Sequence, residues 1–330
     1  MDRDIDIVIP WVDGSDPAWN EEKNSVLFNG QGDQRINRYR DWENLQYWFR
    51  GVEKFLPWIR KIHFVTWGHL PKWLNTEHPK LNIVKHTDYI PHEYLPTFSV
   101  NPIEMNFHRI EGLSEKFIYA NDDTFFIKPL DSTFFFKNGL PVDCAIQNVL
   151  QFSRWDGISQ MVANDLTCLN NNFNKRQVIY SNPGKWFNLK YKKGLFMNLY
   201  TLAFTHFTGF VDPHLPNAFL KSTYVDLWEK CEERLIITCK NKARTNEDIN
   251  QWLIRYWQFA SGNFTPGKPG RGVFFVIGKD DKTIEKTIKN QSTPMVCLSD
   301  DDVGVDFEKE RDFIIDCLDA ILPDKCSFEK

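Results

Sequence analysis

The chain has 330 residues, so it is long enough for one large domain or two ordinary ones with a sizeable core. Its aromatic content of 15% excludes a disordered chain, and its formal net charge of −4 provides no basic field that would draw it to nucleic acid. The chain shows no signal sequence and no run of about 18 apolar residues, which predicts a soluble, cytoplasmic protein. Because it has no basic field, we expect no nucleic-acid partner.

The first predicted element is a strand over residues 5–10, whose sequence IDIVIP is rich in β-branched side chains. A Gly- and Asp-rich loop follows over residues 11–17, and it contains Trp11, Asp13 and Gly14. In α/β nucleotide-binding domains, the loop after an N-terminal strand contacts the ligand. The loop matches neither of the common glycine-rich phosphate-binding patterns, so an ordinary Asx turn is the alternative.

Helices and strands alternate in the prediction for residues 41–86. Asp41 is the predicted N-cap of a helix whose apolar side chains recur at helical spacing, at Leu45, Trp48, Val52 and Phe55. Strands are predicted over residues 61–67 and 81–86, with a short helix over residues 71–74 between them. This alternation is typical of βαβ units and predicts a parallel sheet.

The next segment combines an apolar stripe with several polar side chains. The stripe has the spacing of one helix through residues 103–113, at Ile103, Phe107, Ile110 and Leu113. Such a helix would place Glu104, His108 and Glu111 on one side. Because the helix leads directly into the following strand, we interpret this side as functional. The alternative is an exposed face on which Glu104 pairs with His108 or Arg109.

The following strand, predicted over Lys116–Tyr119, leads into two adjacent carboxylates, Asp122 and Asp123. Open α/β sheets bind ligands at the carboxyl ends of their strands. Buried carboxylates need a cation, a basic side chain or water to offset the loss of hydration. Carboxylate oxygens suit Mg²⁺ or Mn²⁺, so the pair predicts a metal site, with an Asp-rich turn as the alternative.

Beyond residue 141 the pattern becomes less regular, with a strand predicted over residues 145–150 and no clean linker. We therefore expect a second lobe rather than an independent domain. His214 lies between Pro213 and Pro216, which hold the backbone extended and aim the imidazole. Histidine suits proton transfer near neutral pH, although a structural role is the commoner one for a single histidine.

Residues 244–248 predict the start of another helix. Thr245 as the N-cap and Asp248 three positions later form a capping-box-like pair, which explains Asp248 without any chemistry. Arg244 lies just before this start, where a guanidinium beside a helix N-terminus would form a pocket for a diphosphate. A strand over residues 273–277 and a final amphipathic helix complete the prediction.

The seven cysteines lie singly, at positions 144, 168, 231, 239, 297, 317 and 326. None of them forms a CxxC pair. This spacing argues against a zinc site and against a disulfide framework, and it favours a reducing compartment.

Taken together, these segments resemble the Stealth-type sugar-1-phosphate transferases, which include bacterial capsular and cell-wall polysaccharide phosphotransferases. The catalytic subunits of the lysosomal-enzyme N-acetylglucosamine-1-phosphotransferase are similar. The resemblance covers four ordered blocks: IDIVIPWVDGSDPAW, residues 40–141 with LPTFS and HRIEGLSEKFIYANDD, the His214 segment, and the block that starts at Arg244.

The resemblance implies a glycosyltransferase-A-like (Rossmann-like) α/β fold, with a mainly parallel sheet, flanking helices and a more helical C-terminal lobe. Residues 1–141 would form a nucleotide-sugar-binding core with the metal motif. Residues 142–330 would complete the active site within one continuous catalytic domain. The implied reaction transfers a hexose or N-acetylhexosamine 1-phosphate from a UDP-sugar to a glycan hydroxyl and releases UMP.

The resemblance also implies roles for individual residues. Asp122 and Asp123 would hold Mg²⁺ or Mn²⁺, and Arg244 with Arg109 would neutralise phosphoryl oxygens. His214 or His108 would take the proton of the acceptor hydroxyl, and His214 is preferred because the motif centres on it. The nucleotide end of the donor would be lined by Trp11, Asp13 and Gly14, with Arg40 near the phosphates.

A capsule or wall-polysaccharide acceptor is expected to be lipid-linked, which implies peripheral association with the inner face of the cell membrane. The basic and aromatic residues 185–200 are a candidate for that contact, with an ordinary solvated surface as the alternative. Two other functions stay open. A metal-dependent glycosyltransferase would use a similar acidic motif and release UDP, and a sugar-binding protein without catalytic activity would use the Trp-rich surface.

Overall fold

The computed structural model describes residues 4–27, 39–152, 157–300 and 306–330. Its strands are β1 (Ile5–Trp11), β2 (Ile62–Thr66), β3 (Leu81–Lys85), β4 (Lys116–Tyr119), β5 (Thr124–Phe126), β6 (Phe136–Lys137), β7 (Leu140–Asp143), β8 (Asn217–Leu220), β9 (Thr265–Pro266), β10 (Val273–Val276) and β11 (Met295–Ser299).

The α-helices are α1 (Pro17–Val26), α2 (Leu45–Phe55), α3 (His86–Tyr89), α4 (Val100–Met105), α5 (Ile158–Asn172), α6 (Lys175–Ser181), α7 (Pro183–Trp186), α8 (Gly194–Tyr200), α9 (Lys221–Lys240), α10 (Trp252–Ala260), α11 (Asp281–Lys289) and α12 (Phe307–Asp319). Short 3₁₀ turns cover His92–Tyr94, Phe107–Arg109, Ser132–Phe134, Leu189–Tyr191 and Thr201–Ala203. Within the described ranges, no helix combines the length and the apolar character that crossing a bilayer requires.

The central sheet has the strand order β3-β2-β1-β4-β8. Strands β1 to β4 run parallel, and only β8 is antiparallel to its neighbour. The order 3-2-1-4 is that of a Rossmann-like sheet, in which the chain leaves β1 toward one edge and returns at β4 toward the other. The predicted α/β architecture with a mainly parallel sheet is therefore confirmed.

Helices cover both faces of this sheet. Successive side chains of its strands therefore pack alternately into two cores. In β1, Ile5, Ile7 and Ile9 pack in the core that contains α2 and α12, while Val8 packs in the core that contains α9 and α10. A strand that is buried on both faces needs apolar side chains at successive positions, as the IDIVIP run supplies. The helices after residue 141, from α5 to α12, make this part of the chain more helical, as expected.

A second sheet of three strands joins the segment after the Asp122–Asp123 pair to the C-terminal part of the chain. Its order is β10-β11-β5, with β11 parallel to β10 and antiparallel to β5. The backbone N–H of Leu298 also donates to the carbonyl of Asp123 at 2.9 Å. Strand β11 thus fixes the backbone that carries Asp123.

Three local predictions between residues 41 and 150 are wrong. Helix α2 begins at Leu45, and Asp41 does not cap it, because the Asp41 carboxylate accepts the N–H of Glu43 at 2.8 Å. Residues 71–74 form a turn that ends in an isolated bridge from Leu74 to Glu329. Residues 145–150 form no strand, and only Gln147 makes a β-bridge there.

The predicted helix through residues 103–113 is also wrong. Helix α4 ends at Met105, and a 3₁₀ turn follows. The side chain of Asn106 donates to the carbonyl of Pro102 at 2.8 Å, which is the acceptor that the Asn106 backbone N–H would use in a continuing helix. Glu104 and His108 therefore do not lie on one helix face.

The helix that was predicted to follow Thr245 as its N-cap begins only at Trp252. The expected pair does form, because the Asp248 carboxylate accepts from the N–H and hydroxyl of Thr245, both at 3.0 Å. Asn101 and Asn241 also donate to Asp248, at 2.9 and 2.7 Å. The fully buried carboxylate thus stabilises a turn against α4 rather than a helix start.

One pair of cysteines differs from the expectation for single cysteines. Cys168 of α5 and Cys231 of α9 form a disulfide, while five buried cysteines are free. The two residues are 63 positions apart, so their spacing carried no sign of the pairing. One bridge is not a disulfide framework. The expectation of a reducing compartment, however, rested on single unpaired cysteines, and this pair does not support it.

Candidate active site

The candidate site lies where β1 and β4 end side by side. Residues that follow β1 include Asp13 and Gly14, and residues that follow β4 are Asn121, Asp122 and Asp123. The chain connects β1 and β4 toward opposite edges of the sheet, which opens a crevice beyond their carboxyl ends. Such crevices are the usual ligand sites of open α/β sheets.

Asp123 and His214 meet at the centre of the crevice. The Oδ2 atom of Asp123 lies 3.3 Å from Nε2 of His214, and the side-chain amide of Asn121 lies 3.3 Å from the same nitrogen. The thiol of Cys297 contacts Asp123 from β11, with 3.4 Å between Sγ and Oδ2. His214 and Asp123 keep 39% and 31% of their side-chain surface exposed, so small molecules can reach both.

The electrostatic surroundings of His214 favour its protonated form. Burial alone would lower the pKa of the imidazole, but the carboxylates of Asp123 and Glu104 outweigh this effect and raise the pKa of His214 above its usual range. Arg244 acts in the opposite direction and limits the rise. The imidazole is therefore a readily charged group at an open site, which suits proton transfer.

Glu104 is a buried carboxyl behind this centre. Its side chain is 3% exposed, and the hydroxyl of Tyr119 donates to Oε1 at 2.6 Å. Burial raises the pKa of Glu104 to about 7, while Tyr119 and Arg244 oppose the rise. Tyr119 also lines the small cavity beside His214, together with Asn121, Thr124, Leu215 and Gln251. Glu104 and Arg244 thus act on the open site through their charges, in opposite directions on His214.

A group of carboxylates lies where the crevice meets the loop after β1. The Asp122 side chain is exposed, but many protein atoms lie around it and reduce its hydration. This loss of hydration, together with the carboxylates of Asp123 and Asp41, raises the pKa of Asp122 to about 7. Burial and the nearby Asp13 also raise the pKa of Asp41. Clustered carboxylates of this kind are stabilised when a cation binds among them.

The predicted metal pair fits a divalent cation in one further respect. Within the described residues, the buried oxygens Oδ1 of Asp123 and Oδ1 of Asn121 accept no hydrogen bond. A buried acceptor without a partner costs free energy, and a hard cation would satisfy both oxygens. Asp122 adds a further carboxylate to the same turn. The donor set therefore suits Mg²⁺ or Mn²⁺.

The loop after β1 has the local structure of an Asx turn, and it also borders the crevice. The Asp13 carboxylate accepts from the N–H and hydroxyl of Ser15, at 2.9 and 2.6 Å. Gly14 is required there, because a Cβ atom would lie 1.9 Å from the carbonyl oxygen of Tyr39. Trp11 is 7% exposed and stacks on Phe64, so it supports the loop from the core.

Arg40, which was predicted near the donor phosphates, already has an anionic partner. Its guanidinium donates to both oxygens of Asp300, at 2.6 to 2.8 Å, and lies over the ring of Phe307. Asp300 directly follows β11, and the next residue after Arg40 is Asp41 of the carboxylate group. Arg40 therefore borders the crevice, and its role toward phosphates stays a prediction.

The structure does not bring His108 and Arg109 to this crevice. They lie against α9, where His108 stacks on Tyr224 and the Arg109 guanidinium is 4.9 Å from the Trp228 ring. Helix α9 begins at the amino end of β4, whereas Asp123 follows its carboxyl end. Burial lowers the pKa of His108 to about 3, with Arg109 and Lys221 adding to the effect. Their catalytic roles stay predictions that this location does not support.

The sequence did not indicate Cys297, and it indicated Glu104 in the wrong surroundings. Glu104 was assigned to the face of His108, although the position of Asn106 after a Pro-containing turn could have indicated an early helix end. Cys297 carried no signal, because its contact depends on the pairing of β11 with β5. Asp123, His214 and Arg244 were candidates from the local sequence, and the resemblance assigned their roles. Asp123 and His214 are in contact here, and Arg244 is close enough to influence the pKa of His214.

Comparison with known proteins gives the family. Stealth protein conserved region 1 matches residues 3–31, and Stealth protein conserved region 2 matches residues 38–142. The chain is 40% identical to a capsular polysaccharide phosphotransferase WcwK of Streptococcus pneumoniae, over 99% of this chain and 98% of the relative.

Two further relatives extend over nearly the whole chain. A receptor polysaccharide phosphotransferase WefC of Streptococcus gordonii is 37% identical over 100% of both chains. An exopolysaccharide phosphotransferase cps2G of Lactiplantibacillus plantarum is 35% identical, over 99% of this chain and 96% of the relative. Identity of this extent shows common descent and a shared type of reaction, so this chain is a phosphotransferase of the Stealth family.

Proposed function

We propose that this enzyme transfers a hexose or N-acetylhexosamine 1-phosphate from a UDP-sugar to a hydroxyl of a glycan acceptor, in capsular or cell-wall polysaccharide synthesis. The contact between Asp123 and His214 carries the proposal. In this contact, the Asp123 carboxylate suits a cation that binds the donor diphosphate. The His214 imidazole suits removal of the hydroxyl proton of the acceptor. The polysaccharide phosphotransferase relatives support the same type of chemistry.

In the proposed reaction, the acceptor oxygen attacks the β-phosphorus of the donor. A new phosphorus–oxygen bond forms, the bond to the UMP oxygen breaks, and the hydroxyl proton passes to Nε2 of His214. This nitrogen is free of a proton in the neutral tautomer to which the Asn121 amide donates. Arg244 would bind phosphoryl oxygens and offset their charge, and Glu104 would hold the charge of Arg244 and His214 in place.

Asp123, Asp122 and the amide oxygen of Asn121 would hold Mg²⁺ or Mn²⁺ in this proposal. When bound, the cation neutralises charge on the donor diphosphate. Asp13 and Gly14 would line the nucleotide part of the donor, supported by Trp11, because their loop borders the crevice. Arg40 would act at the same border.

Analysis of the nucleotide product tests the reaction. The purified protein is incubated with Mg²⁺, a panel of UDP-sugars and candidate glycan acceptors, and UMP is separated from UDP. Acceptor-dependent UMP is the expected result. Acceptor-dependent UDP would support the alternative, a metal-dependent glycosyltransferase. Nucleotide-sugar binding without turnover would support a sugar-binding protein.

The proposal includes a lipid-linked acceptor and a cytoplasmic enzyme at the inner face of the membrane. Large apolar side chains are exposed on the segment from α6 to α8, including Leu189 at 86%, Tyr180 at 77% and Phe196 at 73%. Exposed Lys192 and Lys193 lie between them in the sequence. Apolar side chains interleaved with lysines favour an anionic bilayer surface.

Vesicle flotation tests this part separately. We expect the protein to float with phosphatidylglycerol-containing vesicles and to stay behind with phosphatidylcholine alone. The variant Leu189→Ser/Phe196→Ser should lose flotation while it keeps turnover of a water-soluble acceptor, because both side chains point to solvent. Equal flotation of the variant and the wild type would contradict this contact.

A further inference from the structure

Three side chains from separate elements of the crevice have the separations of ligands around one metal ion. The Oδ2 atom of Asp123 is 3.3 Å from Nε2 of His214 and 3.4 Å from Sγ of Cys297. All three atoms lie within 4.8 Å of one another. In a tetrahedral zinc site, with bonds of about 2.0–2.3 Å, neighbouring ligand atoms are about 3.3–3.5 Å apart. Two of the three separations therefore already have tetrahedral values.

Each of these ligands is held by a different part of the fold. Asp123 lies in the turn between β4 and β5, and Cys297 lies in β11 opposite Thr124. His214 stands between two prolines, and the N–H of Leu215 donates to the carbonyl of Pro213 at 2.9 Å. Strand pairing and prolines restrain the three backbones, so the ligand atoms are held within 4.8 Å of one another before an ion binds. Only small shifts are then needed for all three to bind one ion.

The chemistry of the donors selects the ion. Mg²⁺ takes oxygen ligands, whereas a thiolate and an imidazole favour Zn²⁺. Cys297 is fully buried, and within the described residues its thiol hydrogen-bonds only to Asp123. His214 and Asp123 are partly exposed, so a fourth position would open to the crevice. Three protein ligands and one open position are typical of zinc sites that bind water or substrate.

We propose that Asp123, His214 and Cys297 form a Zn²⁺ site within the crevice, and that Zn²⁺ bound there inhibits the enzyme. Binding releases the thiol proton of Cys297 and uses the lone pair on Nε2 of His214. It also withdraws Asp123 from the Mg²⁺ set. The binding itself is independent of the proposed reaction, whereas the inhibition rests on the roles proposed above for Asp123 and His214.

Co²⁺ provides a spectroscopic probe of the same ligands in the wild-type protein. We expect the intense visible bands of tetrahedral Co²⁺ and a thiolate charge-transfer band, both removed by stoichiometric Zn²⁺. In Cys297→Ser the charge-transfer band should disappear, and the Zn²⁺ dissociation constant from calorimetry should rise at least about tenfold. Cys317→Ser, at a buried thiol in α12, is the matched control and should behave as the wild type.

The site is refuted if the wild-type Co²⁺ complex lacks a thiolate band, or if Cys297→Ser binds Zn²⁺ as tightly as Cys317→Ser. The thiolate band is measured on the wild-type protein, so the test remains valid even if Cys297→Ser does not fold. Inhibition is measured with Mg²⁺ present, as a fraction of each protein's own uninhibited rate. Retention of the thiolate band with full turnover in Zn²⁺ would refute only the inhibition, and it would count against the reaction roles rather than the site.

Discussion

The Nε2 atom of His214 lies 3.3 Å from the Oδ2 atom of Asp123, so the proposed proton acceptor touches the carboxylate that would hold the cation. The negative charge of Asp123 is also a main reason why the pKa of His214 is raised. A cation on Asp123 would remove part of this effect. The basicity of His214 should therefore depend on metal binding.

NMR titration of the imidazole protons checks this coupling. We expect Mg²⁺ to lower the pKa of His214 by about one unit, because an opposite charge that favoured the imidazolium is neutralised. In Asp123→Asn, the pKa of His214 should be lower than in the wild type even without Mg²⁺, and Mg²⁺ should not change it. The same response to Mg²⁺ in the wild type and in Asp123→Asn would show that the cation lies elsewhere.

Replacement of His214 tests its role as the base. His214→Gln should lower the turnover number about 10²–10⁴-fold, because the general base is lost, and should change the melting temperature little, because the side chain is partly exposed. The turnover of the wild type should rise with pH through the raised pKa of His214, and the variant should lose this limb. Near-normal turnover of a folded His214→Ala protein would rule out the base assignment.

The two aspartates of the metal pair should differ in their contributions. Asp123→Asn should remove both the metal contact and the partner of His214, so turnover should fall at every Mg²⁺ concentration. Asp122 is exposed and its main electrostatic neighbours are other carboxylates, so Asp122→Asn should mainly raise the Mg²⁺ concentration needed for half-maximal turnover. Turnover is measured over a Mg²⁺ series after removal of bound metal with chelator. Identical Mg²⁺ curves for both variants would contradict the distinction.

Glu104 should reduce the stability of the metal-free fold at alkaline pH. Its pKa is raised from the usual range of glutamate to about 7, so the folded state binds more protons than the unfolded state between these values. Stability from this group is therefore present at low pH and is lost as the pH rises to about 7. We expect Glu104→Gln to melt at a higher temperature than the wild type at pH 8 and to gain less at pH 5. If the increase in melting temperature were the same at both pH values, the raised pKa of Glu104 would be contradicted.

Asp6 should have the opposite effect. This fully buried carboxylate accepts from Arg60 at 2.8 and 2.6 Å, from the ring of His63 at 2.9 Å and from the N–H of Ser114 at 2.8 Å. Burial opposes its charge, but these partners lower the pKa of Asp6. Its stabilisation is present above the unfolded pKa and is lost as the pH falls through the folded one.

Urea unfolding checks the Asp6 prediction. Asp6→Ala should lower the free energy of unfolding by about 1–3 kcal/mol at pH 7, because the ring N–H of His63 and the N–H of Ser114 lose their buried acceptor, whereas the partly exposed Arg60 can still be hydrated. The difference from the wild type should shrink in acid, where the wild type loses the same interaction. Lys289→Ala, which removes an exposed i,i+4 ion pair with Glu285, should change stability by less than about 1 kcal/mol and serves as the control.

The sequence was most informative where structure depends on local pattern. The β-branched run of β1, the amphipathic α2 and the strand before Asp122 were predicted because burial follows the spacing of nearby side chains. The early end of α4 was missed because one Asn106 side chain replaced a backbone hydrogen bond. The helix start near Arg244 was misjudged because Asn101 and Asn241, which lie outside this segment, also bind Asp248.

The site required more than local pattern. Asp123 and His214 were candidates from the local sequence, and the resemblance assigned their roles, but their contact arises because β8, which follows His214, pairs with β4. The approach of Cys297 depends on the register of β11 against β5, which no local spacing encodes. Contacts between residues distant in sequence are decided by packing of the whole fold, so they could not be derived from separate segments.

The pairing of β5 with β11 also has a consequence for the timing of synthesis. The turn that carries Asp123 is synthesised well before the strand that fixes it, because Asp123 and Cys297 are 174 positions apart. Until Ser299 has been added, the crevice lacks one wall, and the nascent chain cannot assemble the complete centre. Activity should therefore appear only after β11 has been synthesised and has paired with β5.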